Sequence, residues 1–157
     1  MLKGFGLFHS TAFEDTEEKK RNRDRTIEFI GRHGMDAFAD SFVSPLFFHK
    51  NREALSKDIR FMQEICRNTN SEGVVATVKA MRDRLERLET LKHAKVPVMF
   101  IIGKDDSAVP LEKSLEQCYL PAKHQVCILS DTGHMGMFEK VEESKASVRD
   151  FLKLGYH

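Results

Sequence analysis

Val96-Pro97-Val98-Met99-Phe100-Ile101-Ile102-Gly103-Lys104-Asp105-Asp106-Ser107-Ala108-Val109-Pro110 is the stretch whose reading decides the fold. Val98 to Ile102 is an unbroken apolar run of strand length with β-branched members, opened by Pro97 and closed by Gly103. Such a run fits a strand buried on both faces of a parallel sheet. Gly103 permits a tight turn, and Lys104, Asp105 and Asp106 then fall just past the carboxyl end of the strand, where open α/β sheets place their ligands and reactive groups. Gln125 to Leu129 is a second strand of the same kind, and it too runs into a polar turn, Ser130-Asp131-Thr132-Gly133-His134. Two neighbouring parallel strands would deliver an acid and an imidazole to one edge of one sheet.

The frame Gly103-x-x-Asp106-x-x-Val109-Pro110, followed a helix-length segment later by Gly133-His134, resembles the last two members of the α/β-hydrolase triad, whose chain order is nucleophile, acid, histidine. The resemblance implies Asp106 as the triad acid and His134 as the general base. The acid would hold the imidazole tautomer, and the imidazole would take a proton from a nucleophile and return it to the leaving group. The family's nucleophile elbow, G-x-S-x-G or its Cys or Asp form, needs two glycines four positions apart. Glycines stand at 4, 6, 31, 34, 73, 103, 133, 136 and 155, and no two of them differ by four. The resemblance therefore implies the carboxyl-terminal half of such a hydrolase. Lys3 to Thr11 reads like the strand that follows the elbow helix and leads into the family's cap.

The chain has 157 residues, 41% of them hydrophobic, enough for one domain with a real core. A net charge of +1, from 25 basic and 24 acidic residues, gives no electrostatic reason to expect nucleic acid or an anionic membrane as a partner. Cys66, Cys118 and Cys127 are odd in number and lack C-x-x-C spacing, which implies neither a disulfide framework nor a zinc site and suits a reducing cytoplasm. No stretch has the length of a membrane span, and Met1 to Phe13 lacks the apolar core of a signal peptide.

Leu2 to Ser10 is the first expected strand, and its exit carries His9, Ser10 and Thr11 to the same edge as Asp106 and His134 if the sheet is parallel. Ser10 is a conceivable nucleophile, but without the strained elbow a strand-exit serine is ordinarily a turn or cap residue. Glu14 to His33 predicts a charged helix with Asp15-x-x-Glu18 as a capping box, stopped at Gly31 and Gly34. Its Lys and Arg residues interleave with Glu17, Glu18, Asp24 and Glu28, the pattern of an ion-paired, solvated face. Met35 to Asn70 is helical and rich in large apolar residues, broken by Pro45. In the resemblance this is the cap, with Phe38, Phe42 and Phe47, together with Met135 after the histidine, lining a substrate pocket; the ordinary alternative for each is packing. Apolar positions 74, 78, 81, 85 and 88 mark an amphipathic helix from Ser71, with Asn70 or Ser71 as its cap. Shorter helices are predicted over Leu88 to Ala94 and Leu111 to Leu120, and a closing helix over Val141 to Leu154.

Each reactive residue has a plain alternative. Asp106, or Asp105 beside it, could serve only to cap the helix after Pro110, and His134 could be a turn histidine bonded to local backbone. His9, His49, His93 and His124 show no paired ligand spacing, so no metal and no cofactor are expected.

The expected fold is α/β, a partial α/β-hydrolase fold with about three parallel strands, flanking helices and an inserted helical cap: residues 1–12 and 84–157 as the core, 13–83 as the cap. The function implied by the resemblance is an esterase-like hydrolase of an ester or small acyl substrate, here lacking the nucleophile-bearing half. The alternative is a non-catalytic truncated or split module that binds or oligomerises. Expected partners are the small-molecule substrate once the site is completed, and either a second copy of the chain or the absent amino-terminal half.

Overall fold

The computed structural model describes residues 2–155, and within them the chain divides into two compact units, one of residues 2–12, 46–55 and 87–155, the other of residues 13–45 and 56–86.

The first unit holds the sheet. Strands β1 (Phe5–Phe8), β2 (Val98–Gly103) and β3 (His124–Leu129) pair in the order β1-β2-β3, all parallel, with Phe5 opposite Val98 and Val98 opposite His124. Every residue of β2 is buried, which its uninterrupted apolar sequence requires of a central strand covered on both faces. On one face Val98, Phe100 and Ile102 pack with Leu91 and Cys118, and with Leu88, Leu111 and Leu115 around them. These come from helices α4 (Leu88–Lys92) and α5 (Leu111–Cys118). On the other face Met99 and Ile101 meet Leu129 and the closing helix α7 (Val141–Gly155) through Val148 and Phe151. A four-residue helix, α6 (Gly136–Glu139), precedes α7.

The second unit is helical. Helix α1 (Glu17–Phe42) is interrupted at Gly34, whose φ of 76° breaks the helical path that the sequence predicts to stop there. Its N-cap is Thr16, whose side chain accepts from the Lys19 N–H, rather than the Asp15 expected from the capping-box pattern. Asp15 is fully buried instead and paired with Arg23 at 3.0 Å and Arg84 at 2.7 Å. Helices α2 (Ser56–Arg67) and α3 (Ser71–Asp83) pack on α1, and the Asn70 side chain caps α3 by accepting from Gly73 N at 3.0 Å.

One expectation about the domains is corrected. The stretch 13–83 is not one uninterrupted insertion, because residues 46–55 group with the sheet unit. The reason is bonding and burial: Phe47 is buried with its ring 6.1 Å from Phe138, and Phe48 N and Asn51 Nδ2 donate to the Glu139 carboxylate at 2.9 and 2.8 Å.

Candidate active site at the carboxyl edge of the sheet

The turns after β2 and β3 are bound to one another along their backbones. Lys104 N donates to Leu129 O and Asp105 N to Thr132 O, both at 2.9 Å. Gly103 makes the approach possible, since a Cβ there would lie 2.1 Å from the Gly133 carbonyl oxygen and 2.7 Å from that of Thr132. The second turn is braced by the sheet unit's own 46–55 segment, with His134 N donating to Leu46 O at 2.7 Å. Glu139 completes the brace. One carboxylate oxygen accepts from Gly133 N at 2.9 Å and Met135 N at 3.3 Å, and the other takes the two donors from Phe48 and Asn51.

This framework places the Asp106 carboxylate against the His134 imidazole, with Oδ2 2.8 Å from Nδ1. Asp106 is buried, and its Oδ1 accepts the backbone N–H groups of Ala108 at 2.8 Å and Val109 at 2.9 Å. One oxygen thus closes the turn and the other faces the imidazole, while the helix after Pro110 has no side-chain cap. Asp105 is exposed. Burial by itself pushes the Asp106 carboxyl upward, but hydrogen bonds from His134 and His9, the charge of a protonated His134 and the Val109 N–H hold it well below the usual carboxylate range. The group is therefore an ionised, acceptor-only carboxylate, and each Nδ1 facing it must carry a proton. In neutral His134 this leaves the lone pair on Nε2, which no hydrogen bond engages among the described residues, on a side chain 28% exposed.

His9 is the residue that sequence reasoning missed. It sits directly after β1, with its own N–H donating to Ile101 O at 2.9 Å, and its Nδ1 lies 3.3 Å from the same Asp106 Oδ2. Position at the strand exit was legible; the backbone φ of 45° and the ring's approach to Asp106 are not revealed by pattern. Ser10 is exposed, and no hydrogen bond joins its hydroxyl to His134; its carbonyl accepts from Gln117 Nε2 at 2.9 Å.

His9, Asp106 and His134 bring three potential metal-ligand atoms within 4.8 Å of one another. The bonding does not suit an ion. Gly136 N donates to His9 Nε2 at 3.2 Å, which puts the ring proton on Nδ1, the atom a cation would need.

The aromatic and methionine positions fall in different places. Phe47 and Met135 are buried in the packing of the sheet unit, at 1% and 7% exposure. Phe38 is buried within the helical unit and stacks on Phe42, centroids 4.8 Å apart, while Phe42 is 42% exposed.

No family model and no curated protein matches the sequence. Among solved structures, a thermophilic esterase from Thermogutta terrifontis superimposes with a TM-score of 0.90 at 23% identity, over 99% of this chain and 57% of that one. An enol-lactonase from Burkholderia xenovorans LB400 gives a TM-score of 0.84 at 21% identity, over 96% and 56%. MGS-M2, an α/β hydrolase enzyme from a Medee basin deep-sea metagenome library, gives 0.79 at 13% identity, over 96% and 55%. This chain spans little more than half the length of these structures. With its parallel sheet, its flanking helices and these superpositions, the chain has a partial α/β-hydrolase fold.

Proposed function

We propose that this chain supplies the acid and the general base of an esterase-like hydrolase, and that the nucleophile comes from an elbow-bearing amino-terminal half that this sequence does not contain. The observation that carries the reading is the Asp106–His134 bond of 2.8 Å at the carboxyl edge of a parallel sheet, with no hydrogen bond to His134 Nε2 among the described residues. Asp106 fixes the proton on Nδ1, so Nε2 accepts the nucleophile's proton as it attacks an ester or small acyl carbonyl. The buried carboxylate then stabilises the imidazolium until Nε2 returns the proton to the leaving group. In this reading the helical unit corresponds to the cap, with Phe42 as an exposed ring and Phe38 packed beneath it. Three unpaired cysteines accord with a reducing cytoplasm as the place of work. Among the described residues no helix is long and apolar enough to cross a membrane.

A fluorophosphonate probe tests the reading. The chain mixed with a fragment carrying strand, G-x-S-x-G and helix should label on the elbow serine, and Asp106→Asn or His134→Ala should abolish the labelling. The chain alone should neither label nor turn over simple esters. Ester turnover by the chain alone that is lost in Ser10→Ala would overturn the assignment and make Ser10 the nucleophile.

A second reading, a non-catalytic module that binds or oligomerises, is favoured by one observation: β1 pairs only with β2 and leaves its outer edge without a strand partner among the described residues. Free strand edges template pairing with another chain. Sedimentation of the chain with and without the elbow fragment separates the readings. A homodimer that the fragment fails to displace supports the module; a one-to-one complex supports the hydrolase.

A further inference from the structure

We infer that His9 is a positioning residue of the same site, held as a neutral Nδ1–H imidazole whose task is to fix the Asp106 carboxylate for His134. The inference rests on the acid–base reading of Asp106 and His134 given above.

Three independent features of His9 converge. Its side chain is 1% exposed, which removes solvent as a partner for either ring nitrogen. Both nitrogens are nonetheless engaged: Nδ1 faces Asp106 Oδ2 at 3.3 Å, and Nε2 accepts the Gly136 N–H at 3.2 Å. A buried imidazole with an acceptor on one side and a donor on the other has one consistent state, proton on Nδ1 and lone pair on Nε2. The third feature is the backbone. A φ of 45° is a costly conformation for a residue with a Cβ, and strain of this kind persists where the surroundings over-determine it.

The surroundings are built to take the ring. A Cβ at Gly136 would lie 2.3 Å from His9 Nε2, so only glycine at the start of α6 leaves room for the imidazole. The consequence for Asp106 is geometric. Oδ1 is tied by two backbone amides and Oδ2 by two imidazoles, 2.8 and 3.3 Å away, so the carboxylate cannot rotate about its Cβ–Cγ bond without breaking bonds at both oxygens. His134, which is partly exposed and has no bond at Nε2 among the described residues, receives its orientation from that fixed oxygen.

Nitrogen-15 correlation spectra of the histidine rings in the full chain at pH 8, with the His134 Nδ1 proton followed by its exchange with water, test the inference. The expected result for the parent is His9 in the Nδ1–H form and a slowly exchanging Nδ1 proton on His134. His9→Leu, which has no donor, should speed that exchange at least about tenfold, the scale of one hydrogen bond to a charged acceptor. His9→Asn should restore most of the protection, since its amide nitrogen takes the place of Nδ1 and Asn tolerates positive φ. A His9 ring in the Nε2–H form overturns the inference, as does unchanged exchange in a folded His9→Leu chain. Should His9→Leu fail to fold, the parent tautomer and the His9→Asn exchange rate decide the matter. Absence of any Nδ1 proton on His134 in the parent would defeat the acid–base reading itself, an outcome distinct from failure of the His9 assignment.

Discussion

Asp106→Asn removes one carboxylate oxygen and substitutes a donor, and its effect can be worked through bond by bond. If the Asn carbonyl stays on the Ala108 and Val109 amides, the new NH₂ faces two imidazole N–H groups. His134 can adapt by moving its proton to Nε2 and accepting at Nδ1. His9 cannot, because a proton on Nε2 would point at the Gly136 N–H. One charge-assisted bond is therefore lost and one is exchanged for a neutral bond. Bonds to a charged group are worth about 1.5–3 kcal/mol and neutral ones about 1 kcal/mol. Relief from burying a charge offsets part of the loss, and the net destabilisation expected at pH 7 is about 2–3 kcal/mol. For a chain of this length that corresponds to a fall in Tm of about 4–12 °C. The acid side supplies a second readout. Because the folded carboxyl lies below its ordinary value, its contribution is full above the unfolded carboxyl pKa of about 4 and is lost as pH falls through the folded value. Urea unfolding of the parent should lose stability on acidification below about pH 4, and Asp106→Asn should lack that part of the slope. A variant within about 0.5 kcal/mol of the parent at pH 7, with the same acid slope, would refute the bonding scheme.

Gly103→Ala should destabilise by about 3 kcal/mol or more, since its methyl meets backbone oxygen rather than a side chain that can turn away; denaturant midpoints measure it. Glu139→Gln exchanges one of two acceptor oxygens, each serving two donors, for an NH₂, and should cost about 2 kcal/mol while speeding amide exchange at Gly133 and Met135. Phe47→Ala should cost about 3–5 kcal/mol because the ring is buried, whereas Phe42→Ala, on a surface ring, should cost under about 1 kcal/mol in thermal unfolding.

The strands were the most legible part of the chain. A continuous apolar run between Pro97 and Gly103 has few alternatives to a central parallel strand, and β2 occupies Val98–Gly103. The Asp106–His134 pairing was legible because glycine turns at strand exits leave little choice of edge. Four things were not. Asp15 was read as a capping residue, yet Thr16 takes that role and Asp15 answers two arginines, one of them 69 positions away, which no local pattern encodes. Residues 46–55 looked like part of a helical insertion because their composition matches it; their backbone bonds to the His134 turn are tertiary. Helix α6, only four residues long, is too short for any periodicity to register. His9 combined both difficulties, a left-handed backbone and a partner 97 positions distant.

The Asp106–His134 pair and every group that braces it belong to residues 2–12, 46–55 and 87–155. Acid–base spacing is thus a property of one module, set by backbone contact between Gly103 and the 132–133 carbonyls rather than by side-chain length. The helical unit can diverge, or be exchanged for that of another protein, while this spacing stays fixed. Such a graft has four junctions rather than two, at 12/13, 45/46, 55/56 and 86/87, because the stretch that anchors His134 lies in sequence between the two halves of what would be replaced. A swap made across 13–86 as one block would carry off Leu46, Phe48 and Asn51, and with them the brace on the base.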